Sequence, residues 1–252
     1  SDVYKRQRDT LFAASIKDIG WITELCAKGR KGDTELRAGV TKLIENPLSR
    51  AELKERAATA LPDVPFWHVV RVAMESGHAV YSGADQLITP VDLPGLEETF
   101  NGDKVAATAE LMTRYFRTHG PATLHDFAWW AKLPQRLIRP AAENLAPDIM
   151  RCGEVSQDLV SAEIVEMAEA RKKQSVLLLG AFDEYILGYQ DRLFAMTKEV
   201  HEVLVPGNRG VFRRAIVVDG QVRGTWNKQD IEDLGMPGYA MREVQKLWRD
   251  AH

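Results

Sequence analysis

SRAELKERAATALPDVPFWHVVRVAMESGHAVYSGADQLIT, residues 49–89, reads as two helices and a hairpin in a row. Ser49 followed three residues later by Glu52 is a capping box. The hydroxyl takes an orphan backbone N–H of the first turn, and the carboxylate takes the backbone N–H of the cap. A helix therefore starts at Arg50 and runs to about Leu61. A second spans 65–76, with Pro65 in its first turn and Gly77 just past its end. Ala79-Val80-Tyr81 and Gln86-Leu87-Ile88-Thr89 flank a Ser-Gly-Ala-Asp turn and predict a short β-hairpin. Upstream, Leu36, Val40, Leu43 and Ile44 share one face of a helix over 33–45, which Pro47 stops. Three helices and then a hairpin is the order of a winged helix. The second and third helices form the helix-turn-helix and the hairpin is the wing.

The order recurs downstream. Residues 103–118 carry Ala106, Ala107, Leu111, Met112, Tyr115 and Phe116 at helical spacing, and Gly120 ends that helix. Thr123 caps a helix through Trp130, Leu133-Pro134 turns the chain, a third helix covers 135–145, and 149–155 reads as a weak hairpin. The repeat is one of pattern, not of residue identity. Ahead of both, 18–27 has apolar residues at 19, 21, 22, 25 and 26, a helical stripe punctuated by Gly29 and Gly32. The opening SDVYKRQ has no periodicity and leads straight into 10–14, so the chain reads as starting inside an element, with its first residues an artificial join. The expected fold class is α+β: tandem winged-helix units with a β-rich C-terminal domain. The boundaries are 1–32 (remnant of a preceding unit), 33–100, 101–160 and 161–252.

The last region opens with a charged linker helix over 163–173 and a strand over 176–179. Its clearest feature is a hairpin over 210–226 around Asp219-Gly220, a type I′ turn signal. Two-residue closure predicts Val218 opposite Gln221, Val217 opposite Val222, Ala215 opposite Gly224 and Arg213 opposite Trp226. Arg213 would then lie over Trp226 as a cation–π pair, with Arg214 and Arg223 on the other face. From Asn227 on, the sequence reads as a polar loop and a helix from about Tyr239.

A net charge of −3 is not the signature of a protein that coats DNA indiscriminately. Its distribution is uneven. Residues 61–120 hold 4 basic against 8 acidic side chains, whereas Arg209, Arg213, Arg214, Arg223 and Lys228 face only Asp219. Such a patch suits a nucleic-acid site and equally a solvated hairpin. No apolar run approaches the ~18 residues of a membrane helix, and no secretory h-region is visible, so a cytoplasmic location is expected. Cys26 and Cys152 sit in no metal-type spacing and are expected to be two reduced thiols. P-loop, Rossmann, nucleophile-elbow and zinc-finger patterns do not occur.

Asp183, Glu184, Tyr185, Tyr189, Asp191 and Arg192 crowd into DEYILGYQDR, residues 183–192. Hydrolysis of an N-glycosidic bond uses a carboxylate or amide to position water and to stabilise an oxocarbenium-like sugar. It also uses apolar or aromatic surface to hold an unstacked base. This segment offers both residue types, but a helix end with local ion pairs, Asp191 to Arg192 or Arg214, explains it as well. Trp129 and Trp130 could stack on bases, although their spacing argues that at least one is core. His119 and His125 lack a third ligand nearby and read as structural or capping residues.

Three stretches together carry a resemblance: YFRTHGPATLHDFAWW (115–130), LGAFDEYILGYQDR (179–192), and VPGNRGVF (205–212) with Val218-Asp219-Gly220 and Gly224-Thr225-Trp226. From Arg8 to Trp226 the chain resembles winged-helix DNA-binding proteins related to the bacterial AlkZ and YcaQ crosslink-repair glycosylases. The resemblance implies tandem winged-helix units around a DNA channel and a β-rich C-terminal part. It implies excision of alkylated or crosslinked purines from double-stranded DNA by a monomer, without a cofactor or metal and away from membranes. It puts Asp183, Tyr185, Tyr189, Asp191, Arg192, Asn208, Arg213, Arg214 and Arg223 near the DNA. It also places the family's catalytic Gln-apolar-Gln or Gln-apolar-Asp motif upstream of Arg8-Asp9-Thr10-Leu11, so no catalytic residue is assigned here. The alternatives are a non-catalytic DNA-binding regulator reading bases with 65–76 or 135–145, and a scaffold that binds no DNA. The candidate reading helices are poor in base-reading residues, the first having Arg71 and the second Arg136 and Arg139 as their arginines.

Overall fold

A computed structural model describes the chain except residues 1, 8–9, 16, 27–32, 83–84, 153–157, 171–173, 209 and 251–252, and gives backbone alone for 2–7, 10–14, 33, 169 and 170. The readings above that concern Arg8-Asp9, Gly29, Gly32, Gly83-Ala84, 153–155, 171–173 and Arg209 lie outside the described residues. The chain forms two compact units: 1–113 with 131–146, and 114–130 with 147–252.

In the first, strands β1 (Asp2–Gln7) and β2 (Thr10–Ser15) precede helices α1 (Ile19–Cys26), α2 (Asp33–Leu43), α3 (Arg50–Ala60) and α4 (Phe66–Glu75). Strands β3 (Ala79–Ser82) and β4 (Leu87–Pro90), then α5 (Leu96–Phe100) and the start of α6 (Lys104–His119), follow. The capping box of α3 forms as expected: Ser49 Oγ accepts from Glu52 N at 3.2 Å, and Glu52 Oε2 accepts from Ser49 N at 2.7 Å. Gly77 ends α4 at φ +77°, a conformation that glycine adopts without strain. Leu53, Val69, Met74 and Ile88 bury the faces of α3, α4 and β4 in one core with α2. Leu48 and Ile88 exchange backbone hydrogen bonds of 3.0 and 2.8 Å, tying the entry of α3 to the hairpin.

The opening residues differ from the sequence reading. They form a hairpin, and β1 also pairs with β3, giving a four-stranded antiparallel sheet in the order β2-β1-β3-β4. A strand with neighbours on both sides is fixed by its backbone ladder, which explains how DVYKRQ forms one without alternation.

Helices α7 (Leu124–Ala131) and α8 (Gln135–Ala141) follow α6. Helix α8 stops at Ala141 and passes into a 3-10 turn, Ala142–Asn144, instead of continuing to 145. Pro140 inside it has no N–H for the preceding turn. The hairpin expected within 149–155 is wider: β5 (Ile149–Arg151) pairs with β6 (Leu159–Ser161), and Leu159 also bonds Ala122. Helix α9 (Ala162–Ala170) leads to β7 (Val176–Leu178), the single-turn α10 (Glu184–Leu187) and α11 (Lys198–Leu204). Then come β8 (Arg214–Val218), β9 (Gln221–Trp226), β10 (Ile231–Asp233) and α12 (Ala240–Asp250).

The terminal sheet runs β10-β9-β8-β7. The turn is as expected, with Asp219 at φ +48° and Gly220 at φ +79°. Val218 faces Gln221 and Val217 faces Val222, but a bulge then shifts the register. Ile216 faces Gly224, Ala215 faces Thr225 and Arg214 faces Trp226. The expected Ala215–Gly224 and Arg213–Trp226 pairs are therefore displaced by one, with Arg223 the extra residue. Beside this register change lies β10, a fourth strand of the sheet that the sequence reading does not contain. A Cβ at Gly224 would lie 2.6 Å from the Glu232 carbonyl oxygen, so β10 approaches β9 at the residue without a side chain. Both faces of the sheet are buried. Ala215, Val217 and Val222 pack with Ile186, Met196 and Leu204, and Ile216 and Val218 pack with Ala240 and Val244 of α12.

Candidate nucleic-acid interface

The segment 183–192 is a connector whose polar groups are mostly engaged within its own unit. Asp183 caps α10, accepting from Tyr185 N at 2.9 Å. The Tyr185 hydroxyl donates to the Gly220 carbonyl at 2.7 Å, fastening α10 to the tip of the β8–β9 turn. The Tyr189 hydroxyl donates to the His119 carbonyl at 2.6 Å. Burial pushes both phenols above their ordinary range, and for Tyr189 nearby Tyr185, Asp126 and Glu184 add to the effect. Neither serves as an acid or base near neutral pH. Asp191 accepts from Leu193 N at 2.9 Å, so its carboxylate shapes the turn and is not the expected ion-pair partner of Arg192 or Arg214.

Arg192 is buried, at 7% exposure. Its Nε donates to the Ile186 carbonyl at 3.0 Å, and its guanidinium carbon lies 5.1 Å from the ring centroids of both Trp129 and Phe212. Burial lowers its pKa from the usual value. The aromatic faces on either side replace part of the lost hydration.

Two residues that the sequence had left in the background organise the other end of the segment. Glu184 Oε2 accepts from Trp130 Nε1 at 3.0 Å and lies 3.5 Å from His119 Nε2. The His119 ring stacks on Tyr115 at 4.6 Å and 11°. A Cβ on Gly188 would lie 2.4 Å from His119 Cδ2, so only glycine admits that ring. Glu184 stays half exposed. The sole hint was the crowding of 183–192, because its partners lie more than fifty residues away. Phe127, fully buried, is the core aromatic of α7. Trp129 and Trp130 are both half-buried and held by Arg192 and Glu184, contrary to the expectation that one would be core.

The arginines of the terminal sheet do not join this cluster. Arg213 pairs with Glu232 at 2.9 Å, so β10 supplies an acidic competitor to the basic patch. Arg214, not Arg213, lies over Trp226, at 4.7 Å. Arg223 is half-buried, and its charge acts on Tyr239, whose hydroxyl donates to Asp219. Asn208 is exposed at φ +51° in the turn Pro206–Asn208, its N–H donating to the Val205 carbonyl at 2.9 Å. Among the described residues no group of three or more His, Cys, Asp and Glu side chains could hold a metal, and no helix is long and apolar enough to cross a membrane.

A family model described as DNA glycosylase AlkZ-like matches residues 6–232. Among solved structures, Streptomyces sahachiroi DNA glycosylase AlkZ is similar with a TM-score of 0.71 and 17% identity, over 98% of this chain and 77% of that one. No protein with a curated description matches. The structural likeness, at that identity, speaks for the fold, and the family match spans both the helix–hairpin region and the terminal sheet. The chain belongs to the AlkZ-like DNA glycosylase family.

Proposed function

We propose that the protein binds damaged double-stranded DNA and belongs to machinery that releases alkylated or crosslinked purines by hydrolysing the N-glycosidic bond. The observation that carries this reading is the family match over 6–232. In this reading α2–α4 with β3–β4, and α6–α8 with β5–β6, are winged-helix units, and 161–252 is the β-rich domain. The exposed side chains of Arg136 and Arg139 on α8 support contact with phosphates, not base reading, for which that helix is poorly furnished. The remaining proposed contacts are Asp183, Tyr185, Tyr189, Asp191 and Arg192 of the connector, Asn208, and Arg213, Arg214 and Arg223 of the terminal sheet.

The 252 residues contain no Gln-apolar-Gln or Gln-apolar-Asp triplet. Base release is therefore assigned to a form of the protein that carries such a triplet. The test is a base-release assay on duplex carrying N7-alkylguanine or a purine crosslink, with these 252 residues and with the genomic upstream segment attached. We expect duplex binding by both and release by the longer form alone. A longer form that carries the motif, binds the duplex and releases no base would refute the enzymatic reading.

A further inference from the structure

The roles above leave Phe182 unused. It stands between β7 and the cap of α10 with φ +65°, in the left-handed region, where a bulky aromatic residue is a genuine outlier. Burial does not explain the conformation, because Phe182 is 49% exposed. Outliers of this kind persist where surrounding structure holds them, and they cluster at ligand contacts.

What surrounds Phe182 has a direction. Its ring centroid lies 5.5 Å from that of Phe212. The Phe212 ring lies 5.1 Å from the Arg192 guanidinium carbon, which lies at the same distance from the Trp129 ring. Trp129, Arg192, Phe212 and Phe182 thus form a ladder of neighbouring planar groups, its last two rings tilted by 51° to each other, that starts half-buried and ends on an exposed ring. Arg192 has no carboxylate partner among the described residues, so its charge is left to polarise the rings beside it. A flat π-system is the group that extends such a ladder, and every nucleobase has one.

We propose that Phe182 is a stacking surface for a nucleobase face that a DNA lesion leaves uncovered. The inference rests on the DNA reading above and deepens it by naming a residue that distinguishes disturbed from intact duplex. Stacking is sequence-tolerant, and a base already displaced by damage needs less energy to present its face.

The test uses the full chain and two duplexes of one sequence. One carries a single unpaired 2-aminopurine and the other is fully paired. The unaltered chain binds the bulged duplex more tightly and lowers its 2-aminopurine emission. Phe182→Gly removes the ring and relieves the left-handed conformation. Its unfolding midpoint stays the same or rises, while affinity for the bulged duplex falls roughly 5- to 100-fold and the emission change is lost. Phe182→Trp keeps both. If Phe182→Gly binds the bulged duplex as the unaltered chain does, or loses both duplexes equally, Phe182 is not a stacking surface. A variant that changes self-association and leaves the duplex preference intact also overturns the proposal, placing Phe182 in a contact between copies. An unaltered chain that binds neither duplex at low salt overturns the DNA reading itself, and this inference with it.

Discussion

Arg214 lies over Trp226 across the β8–β9 pair, its guanidinium carbon 4.7 Å from the ring centroid. Its neighbour Arg213 is committed elsewhere, to Glu232 at 2.9 Å. The two arginines therefore respond differently to salt. Arg213 and Glu232 form an exposed ion pair, worth about 0–1 kcal/mol, which concentrated salt screens. The Arg214 contact, about 0.5–1 kcal/mol, includes packing of the side-chain stem and of the planar head on an indole. In urea denaturation, the deficit of Arg213→Ala shrinks in 1 M NaCl and that of Arg214→Ala persists. Equal salt responses would show that the two side chains are not partitioned in this way.

The β8–β9 turn carries a titration signature. The Tyr239 hydroxyl, and next the Ser175 N–H, hold the Asp219 carboxyl below its ordinary value, and Asp219 in turn raises the Tyr239 phenol. A folded-state pKa below the unfolded one contributes stability that is present above the unfolded value of about 3.9. That contribution is lost as pH falls through the folded value. Asp219→Asn keeps the turn, since asparagine tolerates positive φ, and flattens this part of the acid limb. NMR titration is expected to find the Asp219 carboxyl below its ordinary value, and Tyr239→Phe to move it upward. A midpoint unaffected by Tyr239→Phe would remove the phenol as cause.

The contrast between this turn and the strands it joins shows what the sequence makes legible. Asp219-Gly220, the Ser49–Glu52 capping box and Gly77 are local devices, each readable because the reason for the residue lies within a few positions. The bulge at Arg223 is not local. It lies next to the place where the Glu232 carbonyl meets Gly224, on a strand, β10, that was not anticipated. The hairpin β1–β2 was missed because pairing on both sides of β1, not alternation, defines it. In the candidate site the segment 183–192 was found by its crowding. The roles inside it were not, since the partners of Glu184, Tyr185 and Tyr189 are Trp130, Gly220 and His119.

Gly188 tests that long-range cluster. Its missing side chain leaves room for the His119 ring, with the Glu184 carbonyl only 2.7 Å from where a Cβ would stand. One of those contacts is backbone, so rotation of the imidazole alone does not relieve Gly188→Ala. The cost expected from overpacking is about 1–3 kcal/mol. Displacing His119 also disturbs its tilted contact with Trp130, centroids 5.9 Å apart, and changes the near-ultraviolet circular dichroism of the folded protein. An unchanged melting temperature together with an unchanged spectrum would mean that the ring is not held there in solution.

Arg192 separates packing from charge. Truncation to alanine empties the space between Trp129 and Phe212 and is expected to cost about 2–4 kcal/mol, as other large-to-small core changes do. Methionine fills the same space without a cation whose burial is already unfavourable. Arg192→Met is therefore expected to fold within about 1.5 kcal/mol of the unaltered protein. Thermal unfolding of the two variants side by side measures this. If methionine is as damaging as alanine, the guanidinium itself, through the Ile186 carbonyl or the ring faces, holds the segment.

Arg71 decides whether α4 reads bases. It is the one arginine of that helix, yet it is only 4% exposed. One Nη lies 2.6 Å from His68 Nε2, Glu75 is at the margin of an ion pair at 3.8 Å, and Nε has no hydrogen-bond partner among the described residues. A buried cation with incomplete partners is a poor source of stability, and a hydrophobic replacement of similar volume is often neutral or stabilising by about 1–4 kcal/mol. Arg71→Met is thus expected to unfold at the same or a higher urea concentration. His68→Ala, which leaves the cation in place with its closest partner gone, is expected to cost about 1–3 kcal/mol. Because Arg71 points into its own unit, duplex affinity does not change in Arg71→Met. A folded Arg71→Met that no longer binds duplex would put the arginine in the groove and return α4 to the role of a base-reading helix.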